Sequence, residues 1–185
     1  MAAVKLLLGI FCFAFTGSIG LSGRNLLEKA PIDLSAARQR EKLVNTARNE
    51  LGVRELTGNN DGERVEAYLK VVNLKKGQPW CAAFISWIYA EQNYSVPRSG
   101  WSPALFPSSR VVRSPLPGNL IGIYFPKLKR IAHVGMIEKL EGNWVVSIEG
   151  NTDIQGSAEG DGVYRKRRHI KTIHRIADWI SPKGS

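Results

Sequence analysis

The sequence contains very few residues of the kinds that bind transition metals. Its 185 residues include two cysteines and three histidines. It has neither an HExxH motif nor a CxxC pair, and its histidines lack the spacing of metal ligands. Zinc sites use three or four such ligands, commonly in these short motifs. The composition therefore argues against a metal hydrolase, and we expect no metal and no other cofactor.

The sequence also lacks an apolar run long enough to cross a membrane. The longest candidate, residues 6–15, follows Lys5 and precedes small residues up to Gly20, whereas a transmembrane helix needs about 20 residues. This pattern is typical of a secretory signal peptide cleaved after Ser18 or Gly20. The alternatives are an uncleaved anchor, a buried N-terminal helix, or a lipoprotein acylated at Cys12. We expect export to the periplasm or beyond the cell, and no integral membrane domain.

Internal repeats and low-complexity tracts are absent as well. The length suits one domain of ordinary size with a single core. We assign residues 1–20 to the signal peptide, 21–35 to an exposed lead-in and 36–185 to one domain. Loss of the leader would leave Cys81 as the sole cysteine. An odd thiol in an oxidising compartment pairs with another chain, stays buried and inert, or reacts.

Acidic residues are scarce relative to basic ones. The chain has 16 Asp and Glu against 26 Lys and Arg, a formal net charge of +10. Such a charge favours anionic partners: nucleic acid, a membrane surface or an acidic polymer. The most basic run, residues 164–175, fits phosphate contacts. A solvated strand face is the simpler interpretation, and an exported chain rarely meets nucleic acid. We therefore expect no nucleic-acid partner.

Helical periodicity dominates the first half of the domain. Apolar residues recur every three to four positions from Ala36 to Gly52, and again over residues 63–73. A polar turn, residues 57–62, separates the two predicted helices and suits the rim of a cleft. The stretch WCAAFISWIYAEQN, residues 80–93, has no polar stripe over its first nine residues. A helix that is apolar all round is a buried one.

The second half changes to a period of two. Residues 94–119 are rich in Ser, Pro and Gly and predict a long ordered loop, which is usually functional. Antiparallel strands are then predicted at residues 120–125, 131–140, 143–151 and 162–170, and residues 176–181 dock the C-terminus. The fold class is therefore α+β: helices first, with a buried helix packed on an antiparallel sheet.

Four residues suggest nucleophilic catalysis. Cys81 falls in the first turn of the buried helix, where free N–H groups and the helix dipole favour a thiolate. Among the histidines, His133 lies in an apolar strand, whereas His169 and His174 lie in the basic run. Glu149 and Asn151 are two apart on the next strand, so both project from the same face. A carboxylate or amide there can orient the histidine ring.

These motifs, in this order, resemble the cysteine- and histidine-dependent amidohydrolase/peptidase (CHAP) family of the papain-like superfamily, which includes NlpC-type cell-wall hydrolases. The matching segments are PWCAAFISW, PGNLIGIYF, AHVGMIEK and IEGNT, spread over residues 52–168. The resemblance implies a papain-like fold with Cys81 as nucleophile and His133 as general base. It further implies that Glu149 orients His133 and that Asn151 supports the ring or the oxyanion. The family often has Asp where this chain has Asn119, which we interpret as a turn cap.

The same resemblance implies that the substrate is an amide bond of bacterial peptidoglycan. The enzyme would be a stem-peptide endopeptidase or an N-acetylmuramoyl-L-alanine amidase. Peptidoglycan is anionic and extracytoplasmic, which suits a basic exported protein. The chain carries no wall-binding repeats, and nothing in it indicates an inhibitor or immunity partner. The main alternative is an inactive wall-binding module of the same fold. Candidate substrate contacts are Asn60, Trp80, Trp101 and Tyr124.

Overall fold

The computed structural model describes residues 33–154 and 160–181. The chain divides into two units, Met1–Pro31 and Ile32–Ser185, and every described residue belongs to the second. The predicted signal peptide and residues 21–32 of the lead-in lie outside the described residues. The predicted α+β class is confirmed, because three α-helices in the described ranges precede a six-stranded antiparallel sheet.

Helix α1 (Leu34–Asn49) begins two residues before the predicted start at Ala36. The Asp33 side chain caps it by accepting hydrogen bonds from the N–H groups of Ser35 at 2.9 Å and Ala36 at 3.2 Å. The helix ends before Gly52, whose φ of +93° suits a chain reversal. Its buried positions follow the predicted spacing and comprise Arg40, Leu43, Val44 and Ala47.

Helix α2 (Glu63–Lys70) is shorter than the predicted 63–73. Its buried residues are Val65, Tyr68 and Leu69; the fourth residue of the predicted apolar face, Val72, lies beyond the end of the helix. The Tyr68 ring lies 5.2 Å from that of Phe84, which joins α2 to the next helix.

Helix α3 (Cys81–Glu91) forms the centre of the core. Residues 81–89 are all buried, as the absence of a polar stripe predicted. Because α3 is surrounded by α1, α2 and the sheet, each of its faces removes apolar surface from water. Among the residues described, no helix has both the length and the apolarity needed to cross a membrane.

The sheet has the order β1-β6-β2-β3-β4-β5, and all neighbours are antiparallel. Its strands are β1 (Val111–Val112), β2 (Leu120–Phe125), β3 (Arg130–Glu141), β4 (Trp144–Thr152), β5 (Gly162–His169) and β6 (Arg175–Ala177). Strands β2 to β5 match the predicted segments to within two residues. Sequence reasoning missed β1 and missed that β6 pairs with β2, because strands of two or three residues are too short to show an alternation.

The ladder between β3 and β4 ends at the pair Met136–Ile148. Beyond that pair, residues 130–135 and 149–152 continue as strands without pairing to each other, and the start of α3 packs in this region. Gly150 permits the close approach, since a Cβ there would lie 2.5 Å from the Trp80 ring and 2.9 Å from the Phe84 ring. The first turn of α3 is thereby placed against two strand ends.

The predicted loop over residues 94–119 is ordered and carries short 3₁₀ turns at Ser102–Leu105 and Ser108–Arg110 before β1. Asn119 caps its last turn, as expected: its Oδ1 accepts a hydrogen bond from the Leu116 N–H at 2.8 Å. This loop folds back toward the start of α3 and contributes one side of the site.

Candidate active site

Cys81 is the first residue of α3 and is 6% exposed. Its Sγ lies 3.4 Å from the hydroxyl of Ser102, in the first 3₁₀ turn of the long loop. The backbone of Val134, on β3, also lies near enough to the thiol to lower its pKa. The sulfur is therefore held from three sides by α3, the loop and β3.

His133 connects Cys81 to the sheet. Its Nε2 lies 2.8 Å from Oε2 of Glu149, and the ring lies close enough to the Cys81 thiol for each group to shift the pKa of the other. Because Glu149 occupies Nε2, Nδ1 is the ring nitrogen left to face the sulfur. The structure thus brings together three of the four residues that the sequence singled out.

The Cys81–His133 pair has the electrostatics of an ion pair. Burial raises the pKa of the Cys81 thiol, but the hydrogen bond and charge of His133, with help from Ser102, outweigh it, so this pKa is lowered. Burial lowers the pKa of His133, yet its bonds to Cys81 and Glu149 raise that pKa to about 9. Both shifts favour a thiolate beside an imidazolium at neutral pH.

Glu149 has no exposed surface and four hydrogen bonds. Oε1 accepts from Nε of Arg168 at 2.6 Å and from the Ser147 hydroxyl at 2.5 Å, while Oε2 accepts from Arg168 Nη2 at 2.6 Å and bonds His133. Burial raises the pKa of the Glu149 carboxyl, but Arg168 and His133 hold it well below its usual range. Gly135 makes room for it: a Cβ there would lie 2.5 Å from Glu149 Cγ.

Of the two roles expected for Asn151, support of the His133 ring or of the oxyanion, its contacts do not match the first. Its Oδ1 accepts a hydrogen bond from the Trp80 backbone N–H at 3.0 Å, and its Nδ2 donates to Asn60 Oδ1 and to the Gly160 carbonyl, each at 3.0 Å. No described contact joins its side chain to His133. Asn151 therefore anchors the residue that precedes the nucleophile and does not support the imidazole.

A cleft of about 370 Å³ opens beside Cys81. One side comes from the loop and carries Trp101, which is 59% exposed. The other side includes Arg130 at the start of β3. The full lining comprises Leu74, Gln78, Pro79, Cys81, Ser99, Gly100, Trp101, Ser102, Arg130 and Ala132. Among these described residues, Arg130 is the one Lys, Arg, Asp or Glu, so the fixed charge of the cleft wall is positive.

The other three candidate contacts lie outside this lining. Trp80 is 0% exposed and donates from Nε1 to Glu55 Oε1 at 2.8 Å, so its assignment as a substrate contact is corrected: its side chain is part of the core. Asn60 bonds Asn151. Tyr124 stacks on His174, with ring centroids 4.8 Å apart.

Sequence reasoning missed four residues of the site: Ser102, Gly135, Ser147 and Arg168. Arg168 belongs to the basic run that was interpreted as a solvated strand face, yet its side chain is only 20% exposed. Alternation along β5 places Arg168 on one face and Arg165 on the other, but periodicity does not reveal which face holds a buried carboxylate. Ser102 and Gly135 carry no motif that distinguishes them. Within the described ranges, no group of three or more His, Cys, Asp or Glu residues is placed to hold a metal ion.

Comparisons with known proteins add little to this geometry. No protein-family model matches the chain, and no curated protein matches it. A solved structure titled "The crystal structure of Ly7917" is similar at 14% sequence identity and a TM-score of 0.44. The match covers 75% of this chain and 61% of that one, so the chain spans less than two thirds of the length of that structure. Similarity at this level establishes neither a family nor a function.

Proposed function

We propose that this protein is an exported cysteine hydrolase of the CHAP type that cleaves amide bonds of bacterial peptidoglycan. The observation that carries the proposal is that Cys81 lies beside His133, whose ring is hydrogen-bonded to Glu149, at the edge of an open cleft. A nucleophilic cysteine requires a lowered thiol pKa, a base within reach and a group that orients the base. Each of the three requirements has a named residue here.

Acylation begins with the Cys81 thiolate, which attacks the carbonyl carbon of the scissile amide and forms a C–S bond. His133 then donates its proton to the departing nitrogen as the C–N bond breaks. The products of this step are a free amine and a thioester on Cys81. Glu149 stays ionised and keeps the imidazole oriented.

Deacylation reverses the proton movement. Neutral His133 takes a proton from a water molecule whose oxygen attacks the thioester carbonyl. The C–S bond breaks, the acyl group leaves as a carboxylic acid, and the thiolate–imidazolium pair is restored.

The start of α3 supplies donors for the oxyanion. The first backbone hydrogen bond of the helix runs from Phe84 N–H to the Trp80 carbonyl at 2.8 Å, so the N–H groups of residues 81–83 precede the helical ladder. Donors of this kind contribute about 3 kcal/mol each when they face the developing charge. Because Asn151 accepts a hydrogen bond from the Trp80 N–H, the backbone at the start of α3 is fixed, and the N–H groups of residues 81–83 keep a defined direction relative to Sγ.

Peptidoglycan is the substrate class that fits the charge and the expected location. The chain has a net charge of +10, and Arg130 places a positive charge in the cleft. The exposed Trp101 ring offers an apolar platform of the kind that packs on sugar or peptide. The leader at residues 1–20, if cleaved as predicted, would deliver the domain to the wall.

The direct test is a mass spectrum of soluble fragments released from purified peptidoglycan, with Cys81→Ala as the matched variant. We expect fragments with the wild type alone, and their masses identify the bond as an amide in the stem peptide or at N-acetylmuramic acid. Sedimentation of the protein with insoluble wall, without any fragment released, would favour the alternative of an inactive wall-binding module. Equal release by both proteins would exclude Cys81 as the nucleophile.

A further inference from the structure

Arg168 reaches the catalytic centre from a strand that carries none of the three reacting groups. It lies on β5, and its Nε and Nη2 form two hydrogen bonds of 2.6 Å to the two oxygens of Glu149. Ser147 adds a bond to Oε1, and His133 completes the set at Oε2. Among the described residues, the side chains bonded to the Glu149 carboxylate are therefore those of Arg168, Ser147 and His133.

The four ionisable side chains alternate in charge along the series. Arg168 is positive, Glu149 negative, His133 positive and Cys81 negative when the thiolate–imidazolium pair forms, so their sum is zero. Glu149 is fully buried, and the Arg168 side chain is largely buried. A buried charge without a counter-charge is strongly unfavourable, whereas a paired and hydrogen-bonded one is tolerated.

Removal of the guanidinium would leave a net negative charge in this buried site. The site relieves such a charge by taking up one proton from solvent. The group able to accept it without breaking the remaining Glu149–His133 bond is the Cys81 thiolate. Loss of Arg168 should therefore convert thiolate to thiol at a pH where the intact site stays ionised.

We propose that Arg168 is a positioning residue of the Cys81 centre: it holds Glu149 as an anion in the orientation that keeps His133 protonated, and it thereby sets the fraction of Cys81 present as thiolate. This inference rests on the proposed role of Cys81 as a nucleophile, but its test needs no substrate. It adds a fourth member to the series and assigns a function to the basic run of β5.

The competing interpretation is that Arg168 is purely structural and only links β5 to β4 through its bonds to Glu149. Arg165 provides a matched control on the same strand. It bonds the buried Glu138 through Nε at 2.5 Å and Nη2 at 2.9 Å, the same two-pronged geometry. The described partners of Glu138 are Arg165 and Arg48, so the Arg165–Glu138 pair has no described bond to the Cys81 centre.

The test is the pH dependence of Cys81 alkylation by iodoacetamide in the full chain, with the label assigned to Cys81 by peptide mass spectrometry. The proteins compared are wild type, Arg168→Gln, Arg168→Lys and Arg165→Gln. Since iodoacetamide reacts with the thiolate, the midpoint of the alkylation rate against pH gives the pKa of the Cys81 thiol directly. We expect Arg168→Gln to move the midpoint upward by about one pH unit or more, which lowers labelling about tenfold on the acidic side of the curve. Arg168→Lys keeps the positive charge but loses the fork, and should shift the midpoint less in the same direction.

Two results would overturn the proposal: an unchanged midpoint in both Arg168 variants, or an equal shift in Arg165→Gln. If Arg168→Gln does not fold, as judged by circular dichroism, the decision rests on Arg168→Lys. The proposed hydrolase function is contradicted by a different result from the one that contradicts the role of Arg168. A wild type that releases no wall fragments but shows the Arg168-dependent shift would leave this inference standing without the assigned substrate.

Discussion

The Asn151 side chain is joined to the backbone N–H of Trp80, the residue immediately before the nucleophile, at 3.0 Å. Asn151 has a φ of +54°, in the left-handed region that Asn and Gly tolerate. Strand β4 therefore carries both the carboxylate that orients His133 and the amide that holds the start of α3. The nucleophile and its base are positioned from one strand end.

The first prediction concerns this anchor. Asn151→Gly keeps the backbone conformation but removes the bond to Trp80, and should lower both Cys81 alkylation and turnover. A displacement of about 1 Å at a reacting atom can reduce the rate about 100-fold, and loss of a buried hydrogen bond destabilises the fold by about 1–3 kcal/mol. Turnover and thermal unfolding measure the two effects.

Asn60→Gly is the control for that prediction. Asn60 also has a positive φ, of +53°, and accepts a bond from Asn151, but no described hydrogen bond joins it directly to Trp80. It should lose stability with much less effect on turnover. Equal losses of turnover in the two variants would contradict a specific role for the Trp80 anchor.

His133→Ala should reduce hydrolysis about 10²- to 10⁴-fold, the range for a positioned acid–base group, while the protein still folds. The measurement is the rate of fragment release together with circular dichroism. His169→Ala is the control, since His169 follows Arg168 on the opposite face of β5, where it contacts the Trp144 ring and accepts from the Lys171 N–H. A His133→Ala protein that kept most of its activity would show that the base is another group.

The rate of hydrolysis should decline at alkaline pH because of the titration of His133. The pKa of His133 is raised to about 9 in the folded protein, and acylation needs the imidazolium proton, so hydrolysis should fall as the pH rises through about 9. Alkylation of Cys81 needs the thiolate alone and should not fall there. Parallel decline of the two rates would point to unfolding or to a different titrating group.

The raised pKa of His133 also predicts how the free energy of unfolding changes with pH. Because the folded pKa of His133 exceeds its ordinary value of 6.5, its protonation stabilises the native state. That contribution is complete below pH 6.5 and is lost as the pH rises through about 9. The lowered pKa of Glu149 acts in the opposite range: its contribution is present above the ordinary value of 4.5 and is lost on acidification. Denaturant unfolding of wild type and His133→Ala at both limits tests this.

Gly135→Ala should impair the site through shape alone. The added Cβ would lie 2.5 Å from Cγ of the buried Glu149, and overpacking of this kind costs about 1–3 kcal/mol. We expect lower stability, slower hydrolysis and an upward shift of the alkylation midpoint. Gly122→Ala is matched: it is on the neighbouring strand, and its Cβ would meet Phe106 and Ile131 side chains at 3.0–3.1 Å. It should destabilise without moving the midpoint.

Arg130 should influence the choice of substrate. Arg130→Gln removes the fixed positive charge of the cleft wall, and we expect a higher KM for fragments with a carboxylate near the scissile amide, with little change for amidated fragments. Lys127→Gln, an exposed change three residues away, controls for net charge. An identical change of KM for both classes of fragment would contradict a role for Arg130 in recognition.

Local sequence patterns determined the elements of this protein. A helix that is apolar on every side, such as residues 81–89, has one favourable environment, a core, and the alternation in β2 to β4 needs one buried face. The positions of Cys81, His133 and Glu149 on those elements follow from the pattern, because each element can be located before the fold is known.

Only the tertiary structure decided which side chains from distant parts of the chain meet. Arg168 and Arg165 belong to one basic run, yet one bonds Glu149 beside the nucleophile and the other bonds Glu138 away from it. Asn151 bonds Trp80 and not His133, because the β3–β4 ladder ends at Met136–Ile148 and the start of α3 packs there. Periodicity reports the burial of each residue along its own element, whereas register, strand order and packing set the distances between elements.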